Sequence, residues 1–261
     1  MDSLIFASAV TLADQIRSGA VTAQAVVEAH LARIAQVNPR LNAIVQLTAE
    51  AALAEAAAAD AELAHGHVRG PLHGVPFTIK DWIETAGVIC AAGDEARRTY
   101  VPTQDATVVA RLRQAGGILL GKTNVTVTNP VYGRTNNPYN LDYSPSGSSS
   151  GEAAIIAAGG SPLGIGSDSG GSIRTPAHAC GIAGLKPTVG RVPLTGHYPY
   201  ISFMNDPRTV SGPLARRVED LGLALSLIQG EDWRDASVAP MPLTDWRTVD
   251  LRPLHVAFYT E

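Results

Sequence analysis

The longest apolar run of the chain, residues 153–166, is broken midway by Gly159-Gly160-Ser161-Pro162. One helix cannot cross that interruption, and the run is too short and too broken to span a bilayer. It reads instead as a short helix over 152–158, a turn, and a strand over 163–166 that opens into another glycine-rich turn. The same alternation runs through the chain. Helical spacing of Leu12 and Ile16, then of Val26, Val27, Leu31 and Ile34, predicts two helices within 11–37, with Thr22 as an N-cap and Asn38-Pro39 as the stop. A short strand is expected over 41–47. An alanine-rich surface helix follows over 48–65, its Glu50, Glu55, Asp60 and Glu62 facing solvent. Residues 74–81 read as β, 108–114 as helix, 117–121 as a buried strand, 130–151 as loop, and 218–229 as helix. A linker over 230–253 leads to a strand over 254–258. The class is α/β, a mixed β-sheet core flanked by helices. A core strand normally has a neighbour and a return element, so the fold is expected to be incomplete at its C-terminus.

Composition narrows the function. Of 261 residues, 45% are hydrophobic and 17% charged, which supports a substantial core and excludes a disordered chain. The net charge of −4 offers no basic stripe for phosphates, so nucleic acid is not expected as a partner. Cys90 and Cys180 are too few and too isolated for a zinc site and read as buried free thiols. The first residues lack a basic n-region, and the chain reads as soluble, cytoplasmic and without membrane contact.

Two motif matches are rejected on context. Gly116 to Thr123 fits G-x-x-x-x-G-K-[ST], but Ile118-Leu119-Leu120 asks for burial as a strand, not for a loop around phosphate. Gly147-Ser148-Ser149-Ser150-Gly151 fits the G-x-S-x-G elbow, which requires a preceding buried strand; Asn140-Leu141-Asp142-Tyr143-Ser144-Pro145-Ser146 makes a poor one.

Three further blocks carry more. Gly74-Val75-Pro76-Phe77-Thr78-Ile79-Lys80-Asp81 ends an apolar strand on a lysine. Ser144-Pro145-Ser146-Gly147-Ser148-Ser149-Ser150-Gly151-Glu152 and Gly166-Ser167-Asp168-Ser169-Gly170-Gly171-Ser172-Ile173-Arg174-Thr175-Pro176 are serine-glycine loops, followed by Cys180-Gly181-Ile182-Ala183-Gly184-Leu185-Lys186-Pro187-Thr188. In this order and spacing the chain resembles the amidase signature family, from about Leu12 to its end, as one domain over residues 1–261 forming the N-terminal part of a longer one. Two departures stand out: Ser146 and Ser150 occupy positions that are commonly glycine in the family, and "VTVTNPVYG" after Asn124 differs from many members.

The resemblance implies an amidase, a hydrolase acting on linear amides at C–N bonds other than peptide bonds. It implies Lys80 as general base, Ser148 as a bridging serine with a cis peptide bond, and Ser172 as acylated nucleophile. The N–H groups of Ser169, Gly170 and Gly171 would form the oxyanion hole. A serine hydroxyl needs an adjacent base. A lysine serves only when burial or a neighbouring positive field lowers its pKa, and Phe77 and Ile79 suit an apolar setting. Position alone would make Lys80 an exposed cation paired with Asp81. Asp168 and Arg174 read as charges that hold the nucleophile loop. The seven histidines are scattered and receive no role. No cofactor or metal is implied. The expected partner is a small-molecule amide, with a homodimer left open. Two alternatives stand beside a self-sufficient amidase: a partner-dependent subunit of the amidotransferase A type, and an inactive truncated fragment.

Overall fold

The computed structural model describes residues 2–201 and 205–255. Eight helices occur among them: α1 Asp2–Ile5, α2 Ala9–Arg17, α3 Ala23–Leu41, α4 Ala49–Ala64, α5 Thr107–Gln114, α6 Ser150–Ala157, α7 Arg174–Ala179 and α8 Val218–Ile228. The strands are β1 Ile44–Leu47, β2 Pro76–Lys80, β3 Ile118–Thr123, β4 Thr128–Asn129, β5 Gly133–Arg134, β6 Leu163–Asp168, β7 Ala183–Gly184 and β8 Val210–Ala215. Six of them form one mixed sheet in the order β1-β3-β2-β6-β8-β7. At its centre β2 runs parallel to both β3 and β6, pairing Thr78 with Gly164 and Ile79 with Ile165. The outer strands β1, β8 and β7 pair antiparallel. Every residue of β2, β3 and β6 is buried, as expected for strands covered on both faces.

The broken apolar run folds as α6, a turn and β6. Residues 150–156 of α6 are buried, so this helix has no solvent face and sits inside the molecule. Its first turn lies so close to β6 that a Cβ on Gly164 would fall on Glu152 Oε1 and 2.9 Å from Thr78 Oγ1. The alanines of α4 show why a charge-studded helix docks at all: Ala52, Ala56 and Ala59 form a buried stripe, with its acidic residues elsewhere.

Thr22 caps α3, its Oγ1 accepting from Ala25 N at 3.0 Å. The helix does not stop at Asn38-Pro39. It runs through Pro39 to Leu41 and ends on Asn42 in the left-handed conformation. The proline sacrifices one helical hydrogen bond. In return, the Asn38 carboxamide accepts from Ala43 N at 2.8 Å and Ile44 N at 2.7 Å, tying the helix end to the start of β1.

The loop expected over 130–151 holds part of a small hairpin, β4–β5, and α6 begins at Ser150. Strand β8, Val-Ser-Gly-Pro-Leu-Ala, is not apparent in the sequence pattern because Gly212 and Pro213 read as a break. Pro213 is tolerated because it lies past the end of β7. There only its carbonyl is used, accepting from Leu185 N at 3.0 Å. The strand expected over 254–258 falls for the most part outside the described residues.

Candidate active site

The carboxyl ends of β2 and β6 lie side by side, the usual place for a ligand site in a parallel sheet. Lys80 ends β2 and Asp168 ends β6. The two serine-glycine loops meet there, one entering α6 and the other leading into α7.

Lys80 is completely buried. Its Nζ lies 2.7 Å from Ser148 Oγ, 3.4 Å from the Ser167 carbonyl and 4.2 Å from the centre of the Trp82 ring. Burial pushes the Lys80 amine well below its ordinary pKa, against the pull of Asp168 and Glu152 toward the charged form. Asp81, the partner that adjacency in sequence proposes, turns away. Its carboxylate accepts from Ala92 N at 2.7 Å and lies 3.6 Å from Lys122 Nζ, and both side chains of that pair are fully buried. Lys122 also donates to the Ile83 carbonyl. The lysine of the rejected phosphate-loop match is thus an interior counter-ion on β3. Among the described residues Lys80 has no carboxylate at ion-pair distance.

Ser148 follows a cis peptide bond from Gly147, and its carbonyl accepts from Thr126 N at 2.8 Å. Ser149, the serine of the elbow pattern, is fully buried. Its Oγ is turned onto the Ser167 backbone, donating to the carbonyl at 3.3 Å, and no strand precedes it. Ser172 lies two residues before α7 and is half-buried, its carbonyl accepting from Ser149 N at 3.2 Å. The fold therefore joins Lys80 to Ser148 through side chains, and the Ser148 loop to the Ser172 loop through backbone. Ser146 adopts φ 61°, so the serine found where glycine is common does occupy a left-handed position. Ser150 instead starts α6.

Asp168 organises the loop that carries Ser172. It accepts from Gly171 N at 2.7 Å, Ile173 N at 3.0 Å and the Arg174 guanidinium at 3.0 and 3.1 Å. Burial raises its pKa, but the Arg174 bond and the backbone donors outweigh that and hold it at about 2. Asp168 and Arg174 thus hold the loop, as expected. The expected trio of oxyanion donors needs revision, because the Gly171 N–H is directed into the Asp168 carboxylate. The N–H groups of Ser169, Gly170 and Ser172 have no hydrogen-bond partner among the described residues.

Two nearby residues escape sequence reasoning. Glu152 is fully buried beneath Lys80 and accepts from Thr78 Oγ1 and, at 2.7 Å, from Thr123 Oγ1. Burial raises it to about 7, opposed by those hydroxyls and by Lys80 and Lys122. His197 comes from a distant segment, its Nε2 3.0 Å from Ser167 Oγ. A glutamate inside an otherwise apolar helix was a visible signal for the first. Nothing marked the second, since only the fold brings residue 197 to residue 80. Among the described residues no group of three or more His, Cys, Asp or Glu is placed to hold a metal ion, and no helix is long and apolar enough to cross a membrane. Both cysteines are buried and free.

Comparison with known proteins places this arrangement. The family described as Amidase matches residues 25–261. The glutamyl-tRNA(Gln) amidotransferase of Roseiflexus sp. (strain RS-1) has an A subunit 42% identical over 253 residues, covering 93% of this chain and 51% of that protein. The peptide amidase of Stenotrophomonas maltophilia has a structure similar at a TM-score of 0.84 and 39% identity, covering 91% of this chain and 51% of that one. A fatty acid amide hydrolase structure matches at a TM-score of 0.85 and 31% identity, covering 93% of this chain and 45% of that one. The chain spans about half the length of the curated relatives it matches. With its family match, its mixed sheet and its serine-glycine loops in agreement, the chain belongs to the amidase signature family.

Proposed function

We propose that the protein hydrolyses carboxylic amides to acid and ammonia or amine through an acyl-serine, with Ser172 as nucleophile, Ser148 as proton bridge and Lys80 as base. One observation carries this reading: a fully buried lysine, without an ion-pair partner among the described residues, whose Nζ lies 2.7 Å from the Ser148 hydroxyl. Burial of this kind disfavours the charged form, and the neutral amine can accept a proton. Ser148 passes its proton to Lys80 while taking one from Ser172, and Ser172 Oγ attacks the amide carbon. The developing oxyanion is held by the N–H groups of Ser169, Gly170 and Ser172, which the Asp168 anchor leaves unspent. Losing one such donor typically costs about 2.7–4 kcal/mol of transition-state stabilisation. Ser148 then returns a proton to the amide nitrogen, the C–N bond breaks, and water attacks the acyl-Ser172 by the reverse route.

A second reading is favoured by the curated relatives, which belong to glutamyl-tRNA(Gln) amidotransferases. In it the same chemistry releases ammonia from glutamine for a partner. Ammonia release by the full-length protein, screened over aliphatic, aromatic and peptide amides and glutamine, separates the two. Turnover of simple amides without a partner supports the self-sufficient enzyme, and turnover of glutamine alone supports the amidotransferase reading. Undiminished turnover by Ser172→Ala contradicts both.

A further inference from the structure

The imidazole of His197 is fixed at both ends. Nδ1 lies 3.1 Å from the Pro199 carbonyl and Nε2 3.0 Å from Ser167 Oγ. A carbonyl only accepts, so Nδ1 carries a proton; with the ring neutral, as burial favours, Nε2 accepts from the Ser167 hydroxyl and both nitrogens are satisfied. The backbone around it is laced to the segment after Lys80. Glu84 N donates to the Gly196 carbonyl at 2.8 Å, Tyr198 N donates to the Trp82 carbonyl at 2.7 Å, and Ile83 bridges His197. The ring meets the Trp82 indole edge-on at 6.0 Å and 71°. On its other side, Trp82 Nε1 donates to the Ala92 carbonyl at 2.9 Å.

These contacts converge on one atom. Two of the groups against Lys80 Nζ, the Ser167 carbonyl and the Trp82 ring, belong to residues that His197 touches. Building on the reading of Lys80 as the base, we infer that His197 is a positioning residue for that base: it braces Ser167 and Trp82 into a dry wall around the Lys80 amine and keeps the amine neutral. It does so without touching substrate. Burial holds His197 down at about 4, with Lys80 acting in the same direction and the Pro199 bond opposing. The other titratable groups around Lys80 are Glu152 from α6, Asp168 from β6, Asp81 with Lys122 at the ends of β2 and β3, and Cys90 with Arg97 beyond them.

Replacing His197 by Ala opens the wall to water, which favours the charged amine. The test is the pH profile of Ser172 acylation by a fluorophosphonate in the full-length protein. For His197→Ala the acid limb should move up by about one pH unit, giving ~10-fold slower labelling on that limb and a rate restored at high pH. His197→Gln, which keeps a neutral hydrogen-bonding side chain, should recover most of the shift. If His197→Ala does not fold, Ser167→Ala removes only the hydroxyl and should move the limb the same way, by less. An unshifted limb in the folded variants, with Lys80→Ala inactive, overturns the role of His197 alone. Labelling that survives in Lys80→Ala overturns the base reading beneath it.

Discussion

Lys80 and Lys122 stand near each other on adjacent strands, both fully buried, and differ in what they meet. Lys122 answers the Asp81 carboxylate, whereas Lys80 meets a hydroxyl, a carbonyl and an indole face. Removing Lys122 strands a buried anion, so Lys122→Met should cost about 3–5 kcal/mol in urea unfolding. Lys80→Met removes an amine whose charged form burial disfavours and which has no carboxylate at ion-pair distance among the described residues. It should stay within about 1.5 kcal/mol of wild type, the size of one hydrogen bond, while abolishing turnover. Equal losses in the two variants would contradict the assignment of charge. The sequence pointed to Lys80, Ser148 and Ser172 through the recognisable texture of the loops around them, and the structure brings the Lys80 amine to the Ser148 hydroxyl. The Asp81–Lys122 pair and His197 were hidden, because each depends on strand register or on a segment more than a hundred residues away in sequence.

Buried α6 and its neighbour β6 set the site at the scale of elements. The sequence showed both, since a glycine-serine-proline break inside an apolar run leaves few other foldings. It did not show their closeness, which rests on Gly164 lacking a Cβ beside Glu152. Gly164→Ala should therefore lose at least about 3 kcal/mol, read as a lower urea midpoint with unchanged slope. A second hidden support is Arg216. Its guanidinium donates to the carbonyls of Ile156 at 2.7 Å, Ser161 at 2.8 Å and Ile5 at 2.7 Å, closing the end of α6. Arg216→Met should cost about 3 kcal/mol by taking the guanidinium from the Ser161 and Ile5 carbonyls, while Ile156 keeps its bond from Gly159 N at 3.1 Å. Strand β8 and the passage of α3 through Pro39 went unread for a common reason. Proline is a local signal, and here tertiary hydrogen bonds meet the need it leaves.

Across the whole molecule, acid acts through interior groups of opposite sign. His30 is fully buried on α3, its Nδ1 bonded to the Val26 carbonyl at 2.8 Å, and burial lowers it to about 4, with Arg216 acting in the same sense. Its folded pKa lies below the ordinary 6.5, so only the unfolded chain takes up this proton between pH 6.5 and about 4. That contribution to stability is full above pH 6.5 and is lost as pH falls toward 4. Glu152, raised to about 7, works the other way between pH 7 and 4.5. The pH profile of the wild type alone therefore mixes these groups with others such as His197, also held at about 4. The free-energy difference between wild type and His30→Gln isolates the histidine, and it should move against the wild type by on the order of 3 kcal/mol from pH 7 to pH 4. A difference that is constant with pH would contradict a neutral His30 in the core.

The central claim is that a neutral Lys80 activates Ser172 through Ser148, with no imidazole in the relay. Its most direct test is to treat the full-length protein with a fluorophosphonate and map the modified residue by peptide mass, in wild type and in Lys80→Ala. The account predicts label on Ser172 in the wild type and almost none in Lys80→Ala. Label on Ser149, or on Ser172 at an undiminished rate without the lysine, would contradict it.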